Sequence, residues 1–343
     1  MKAAAPVCQT ARVKRLEQCS LDEMKALIAT AETPLVFGGL CSHWPLVQAG
    51  LRSSKQAMAY LAQFYQGMPV TAYHVAPEHD GRVFYNETLD GFNYQAGKLD
   101  LRQLLERLQA EAEADKPAGI YMGSTEIQRC LPGLGIDNSL DLAPIAPLIN
   151  IWLGNPSRIA AHLDLPHNLA CNAVGKRTFT LFPPEQVGNL YIGPMAFAPG
   201  GRDISLVDPD KPDLERFPRF AMAMAAALTA ELEAGDVLFI PSMWWHHVRA
   251  SADFNVLITH WWRDSPDYLG RPNNALLHAI LSLRSLPKAQ RQAWKAMFDH
   301  YIFDHDPEAL AHIPEAAQGM LTTPLDESNA RKLRADLTNK LKR

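Results

Sequence analysis

Two short stretches carry residue types able to hold a metal ion. Residues 161–168 read AHLDLPHN, which places His162 and Asp164 two positions apart. On an extended chain, side chains two apart point to one face. A strand here would aim an imidazole and a carboxylate at a single point. Far downstream, residues 235–248 read GDVLFIPSMWWHHV. An apolar run ends at Pro241, and two histidines follow two tryptophans. Either His246 or His247 supplies a third ligand if the fold sets this run opposite the first.

Two histidines and one carboxylate on one face form the ligand set of non-haem Fe(II) oxygenases, which keep coordination positions open. Zinc more often takes closed four-coordinate sites, but the donor set alone leaves zinc, manganese and nickel open. A bare HxD is a frequent accident. Its weight here comes from the distal histidine at the end of a glycine-led strand.

The elements around these residues fall into three zones. Residues 1–125 mix helix and strand. A helix is expected over 21–30, with Ser20 as N-cap and Glu23 at the third helical position. Residues 33–40 read as a strand, 54–66 and 99–114 as helices, and VTAYHV and RVFYN as strands. Residues 126–263 hold the core. Strands are expected over 148–153, 169–174, 177–182, 230–233, 236–240, 247–250 and 256–262, separated by Gly, Pro and Asp turns. Such a pattern suggests a barrel or jelly roll. LACNAV-GK-RTFTLF reads as one hairpin and AELEAGDVLFIP as another, turning at Gly235-Asp236. Residues 264–343 are helical, with apolar faces over 274–283 and 288–303 that need a partner: the barrel or a second copy of the chain.

Bulk properties exclude several classes. Apolar residues make up 47% and charged residues 20%, enough to build a core and too apolar for wholesale disorder. A formal charge of -4 gives no global attraction to nucleic acid or anionic lipid. The five cysteines, Cys8, Cys19, Cys41, Cys130 and Cys171, are scattered and make no CxxC, which argues against a disulfide framework or thiolate site. The N-terminus has no apolar signal core, and FAMAMAAALTA (220–230) is about half the ~20 residues that span a bilayer. It reads as a buried helix. A cytoplasmic enzyme without membrane contact is expected.

Other residues have plainer readings. Trp244, Trp245 and Trp262 suit core packing better than substrate contact. His167 suits a loop or substrate pocket, and His74 and His79 the surface; His300 and His305 have no partner signature. The basic run KLRADLTNKLKR at the C-terminus reads as a solvated helix face.

The two metal-bearing blocks, together with GKRTFTLFPPEQ (175–186) and PDLERFPRF (212–220), resemble the JmjC, or cupin-like, branch of the 2-oxoglutarate oxygenases. The likeness is strongest to its asparaginyl hydroxylase group and bacterial cupin-like relatives. VFYN (83–86) and IYMG (120–123) extend it over most of residues 30–263. The resemblance implies a double-stranded β-helix with Fe(II) held by His162, Asp164 and His246, and His247 facing away. It implies that 2-oxoglutarate and O2 are co-substrates. Arg177 takes the position of the cation that clamps the distal carboxylate, often Lys in relatives. Lys176 then faces the other side. Tyr121, Asn168 and His260 take positions near the co-substrate; His260 stands where relatives often have Asn, and Ile159 where they often have Thr. Asp164 favours hydroxylation over halogenation, because halogenases lack that carboxylate.

The substrate class the resemblance implies is a protein or peptide side chain. RNA or a small molecule, or a metal-binding cupin without oxygenase activity, are the other classes. Specificity is expected in loops at the barrel mouth, residues 191–212 among them. The C-terminal helices resemble a dimerisation region, which implies a homodimer.

Overall fold

The computed structural model describes residues 10–195 and 197–342; Cys8 lies outside them. The chain divides into two compact units, Met1–Arg263 and Asp264–Arg343.

In the first unit the N-terminal strands are β1 (Ala11–Arg12), β2 (Lys14–Glu17), β3 (Leu35–Gly38), β4 (Val70–Val75), β5 (Arg82–Val83), β6 (Tyr94–Leu99) and β7 (Gly119–Glu126). They are followed by β8 (Leu148–Gly154), β9 (Ser157–Leu163), β10 (His167–Val174) and β11 (Arg177–Phe182). The last four are β12 (Leu228–Leu232), β13 (Val237–Ile240), β14 (Trp245–Ala250) and β15 (Asn255–Trp262). One sheet runs β1-β12-β11-β14-β9-β5, and the other β2-β3-β13-β10-β15-β8-β7-β4-β6. The N-terminal strands therefore extend both sheets of the core.

Burial fixes how the sheets stack. Phe179, Leu181 and Val248 of the first sheet form one cluster with Ala170, Leu238 and Leu257 of the second, so these faces enclose the barrel interior. The outer face of the second sheet packs under helices. Its Phe37, Leu169 and Ile258 join Met24 and Ile28 of α1 (Leu21–Ile28), Leu46 of α2 (Pro45–Arg52), Leu61 of α3 (Ser54–Phe64) and Leu104 of α4 (Leu101–Glu111). α1 begins where the sequence places it: Ser20 Oγ accepts from Glu23 N at 3.3 Å and Glu23 Oε2 accepts from Ser20 N at 2.8 Å. The outer face of the first sheet is covered by the insertion after β11, through Leu190, Val207 and Phe220.

Neither expected hairpin forms. β10 pairs with β13 and β15, whereas β11 pairs with β12 and β14. The chain crosses from one sheet to the other at Gly175, and again between β12 and β13 at Gly235. Both glycines hold left-handed backbone, φ 80° and 101°. A turn signal marks where the chain reverses but not which sheet receives the next strand. Asp236 secures the second corner, accepting from Arg15 Nη1 and Nη2 at 2.9 and 2.8 Å and from Gly39 N at 2.9 Å. The expected helix over 220–230 is also shorter. It spans Phe220–Ala225, leaves Met222 61% exposed, and gives way to β12.

In the second unit, helices span Pro272–Leu283, Lys288–Phe298 and Glu327–Leu341, with a π turn at Asp299–Phe303. The first two bury no residue, and the third carries the basic run in i,i+4 pairs such as Lys340–Asp336 at 2.7 Å.

At Gly175 an added Cβ would meet Asn255 Oδ1 at 2.3 Å and Phe254 O at 2.8 Å. Gly175→Ala is expected to cost about 1–3 kcal/mol of stability, read as a lower urea midpoint with an unchanged slope.

Candidate metal centre

His162 and His246 face each other across the β9–β14 ladder. Beyond this pair the register skips: Val248 lies opposite Ile159, so two residues of β9 oppose His247 alone. This bulge inverts the alternation on β9. Ile159 and His162, three apart, both line the interior cavity. On β14 the alternation holds, so His246 points inward with Val248, while Trp245 packs outward beneath the insertion.

Asp164 follows the end of β9 and is 7% exposed. Its carbonyl accepts from Met243 N at 3.0 Å, and Leu165 O accepts from Ser242 Oγ at 2.5 Å. These bonds tie the turn carrying Asp164 to the turn leading into β14. One ligating atom from each of His162, Asp164 and His246 lies within 4.8 Å of the others. The two imidazole centroids are 4.3 Å apart, and His246 Nε2 is 3.7 Å from Asp164 Oδ2.

Both imidazoles are oriented by the backbone. His162 Nδ1 donates to Ala160 O at 2.8 Å, and His246 Nδ1 to Trp244 O at 3.0 Å. A carbonyl only accepts, so each Nδ1 carries the proton and each Nε2 keeps a lone pair. Burial, then repulsion from His162, pushes the His246 pKa down to about 4, which keeps the ring neutral near pH 7. Two fixed nitrogen donors and a carboxylate suit a divalent transition metal, and Fe(II) fits this set.

The interior around them buries polar groups that lack partners. Arg177 on β11 alternates with the inward Phe179 and is 5% exposed. Its Nε donates to Asn172 Oδ1 at 3.2 Å, and the described residues provide no carboxylate to pair with it. Burial lowers its pKa to about 10, a sign of a cation held without a counter-charge. Tyr121 on β7 lies between Tyr73 and Trp152, at centroid distances of 6.1 and 6.4 Å. Burial raises its phenol pKa, opposed by Arg177 and reinforced by Asp164. Asn168 on β10 is buried, and its Oδ1 has no partner. A cavity of about 350 Å³ opens onto His162 and Asp164, walled by Tyr121, Trp152, Trp261 and Arg202. A second cavity of about 380 Å³, beside Arg82 and Arg216, includes none of the three ligands.

His260 does not join this group. It pairs with Leu169 on β10, and both face the helical core outside the barrel. Its Nε2 accepts from Leu140 N at 3.0 Å, its ring lies 6.3 Å from Trp44, and it is fully buried. The sheet itself separates it from any co-substrate; its inward neighbours are Thr259, which accepts from Trp152 Nε1 at 3.0 Å, and Trp261. His167 likewise sits at the start of β10, stacked on Phe239 and Trp262, and lies in neither a loop nor the pocket.

The outward facing of His247 was expected; its carboxylate partners and the contact made by Arg202 had no sequence signal. His247 faces out toward Asp208 and Asp210, with potential ligand atoms within 4.8 Å. Those carboxylates are already engaged, Asp208 with Arg158 at 2.8 Å and Asp210 with Arg249 at 4.0 Å, which makes the group an ion-pair network. Arg202 lies in the insertion, and its Nε is 3.0 Å from Asp164 Oδ1. Lys176 faces solvent and pairs with Glu233 at 2.9 Å.

Two stacked sheets enclosing two histidines and one carboxylate define a jelly roll with a candidate metal centre. The cupin-like domain family matches residues 21–268, and the chain belongs to that family, in company with JmjC proteins. Human HSPB1-associated protein 1 is 32% identical over 151 residues, 42% of this chain and 30% of that protein. Human tRNA wybutosine-synthesizing protein 5 is 27% identical over 276 residues, 74% of this chain and 78% of that protein. Lysine-specific demethylase JMJ31 of Arabidopsis thaliana is 32% identical over 118 residues, 34% of this chain and 21% of that protein. The match thus spans under a third of HSPB1-associated protein 1 and of the demethylase.

Burial pushes the pKa of both His247 and His260 from the ordinary 6.5 down to about 4. The unfolded chain takes up these protons first, so stability is fully present above pH 6.5 and falls as pH drops toward 4. His260→Gln keeps an acceptor for Leu140 N–H but does not titrate. It is expected to flatten the pH dependence of the urea midpoint between pH 7 and pH 5, with metal binding retained.

Proposed function

We propose that the chain is an Fe(II)- and 2-oxoglutarate-dependent oxygenase that hydroxylates a protein or peptide side chain. The observation that carries the reading is the convergence of His162, Asp164 and His246 within 4.8 Å, in the barrel that also buries the unpaired Arg177. Bound Fe(II), with 2-oxoglutarate and O2, supplies the oxidising power for C–H hydroxylation.

The chain's own residues hold and orient. His162 and His246 present Nε2 and Asp164 presents Oδ2. Arg177 pairs with the distal carboxylate of 2-oxoglutarate as a guanidinium fork. Asn168 and Tyr121 offer an amide and a phenol beside it. The buried Arg177 supports this co-substrate, because a guanidinium held without a carboxylate partner suits one end of a dicarboxylic acid. Trp152 and Trp261 exclude water from the cavity wall.

The broad match to tRNA wybutosine-synthesizing protein 5 favours a second reading, with RNA as the substrate. No helix among the described residues is long and apolar enough to cross a membrane. Cys19, Cys41, Cys130 and Cys171 are unpaired, which supports a reducing compartment such as the cytoplasm. The C-terminal unit leaves Leu281 77% and Phe303 72% exposed, and supports a homodimer formed through that apolar face.

Succinate release is expected to require both Fe(II) and 2-oxoglutarate. His162→Ala should abolish it, and Arg177→Met should raise the KM for 2-oxoglutarate tenfold or more, about the worth of one charge-assisted pair. Zinc retention without turnover would overturn the oxygenase reading. Mass spectrometry of treated peptides and RNA, searching for one added oxygen, decides between the substrates. Light scattering is expected to give twice the chain mass; a strict monomer would remove the dimer.

A further inference from the structure

Asp164 has two oxygens with separate duties. Oδ2 faces His246 Nε2 at 3.7 Å, and Oδ1 receives Arg202 Nε at 3.0 Å. The carboxylate is 7% exposed, whereas the guanidinium is 44% exposed at the cavity wall.

The segment bearing Arg202 is fastened on both sides. Before it, Phe197 stacks on Phe92 at 4.4 Å, and its carbonyl accepts from Tyr85 Oη at 2.7 Å. After it, Ile204 forms a β-bridge with His162 itself, and Ser205 N donates to Ala161 O at 2.7 Å. Between these anchors Gly200 and Gly201 adopt φ of 63° and 73°, which turns the chain back toward Asp164. Arg202 is therefore two residues from a backbone bridge to a ligand and is aimed at the neighbouring ligand.

We propose that Arg202 is a positioning residue that occupies Asp164 Oδ1 and so commits the carboxylate to binding the metal through Oδ2 alone. This rests on the metal-site reading above. A carboxylate free to rotate can chelate through both oxygens, which fills a position that a bidentate co-substrate or O2 needs. A guanidinium bond to one oxygen prevents that and fixes the ligand's direction, as partners behind metal ligands generally do.

The test uses the full chain loaded with Co(II), followed by its visible ligand-field absorption and by equilibrium titration. Arg202→Met, which keeps length and removes charge, is expected to weaken Co(II) binding about tenfold or more and to shift the absorption bands. Arg202→Lys, which restores one donor, should recover much of both. An Arg202→Met protein with wild-type affinity and spectrum overturns the proposal while leaving the metal site intact. A wild-type chain that binds no Co(II) overturns the metal-site reading instead. Recovery in Arg202→Lys excludes misfolding as the cause, and a lysine variant no better than methionine counts against the positioning role.

Discussion

The backbone ladder between β9 and β14 sets His162 opposite His246, and the other features of the centre depend on that register. A slip of one residue would turn every side chain of a strand to its other face. Here the extra residue on β9 performs such a turn locally. Upstream of it, Ile159 faces the interior; downstream, His162 does too, and Asp164 follows two residues later. The same ladder sends His247 to the opposite face, where it meets Asp208 and Asp210, carboxylates that also pair with Arg158 and Arg249.

Holding that register requires two cores outside the barrel. The helices over the second sheet and the insertion over the first bury large side chains such as Trp44, Phe37, Phe182 and Phe220. Their apolar burial, at about 25 cal/mol per Å², offsets an interior that keeps polar groups out of water. Asp164, Asn168, Arg177 and His246 are all buried there. Burial of this kind is costly unless partners are present. The orphaned Asn168 Oδ1 and the guanidinium without a carboxylate mark where the fold leaves that cost unmet, and where a bound acid would meet it.

The insertion does more than cover a sheet. Through Ile204 it joins the ligand strand, and through Arg202 it reaches the ligand carboxylate. The segment expected to govern specificity is thus continuous, through backbone and ion-pair contacts, with the candidate metal centre.

How much of this was legible beforehand follows from the range over which each determinant acts. The HxD spacing, the glycine-led strand before WWHH and the capping box around Ser20 are local, and the sequence determined them by itself. Arg177 took its place near the co-substrate from the family resemblance alone; its burial, at 5% exposure, came from the tertiary structure. What the sequence left open was relational. Strands with apolar residues on both faces carry no mark of their sheet, so β10–β11 and β12–β13 read as hairpins although each pair is split between sheets. His260 took a cavity position from the resemblance, where relatives often have Asn, but the pairing of β15 with β10 places it on the other side of the sheet. Arg202 had no motif at all. Only the tertiary structure decided these, because facing and contact between distant segments depend on strand pairing, bulges and loop paths that local spacing does not encode.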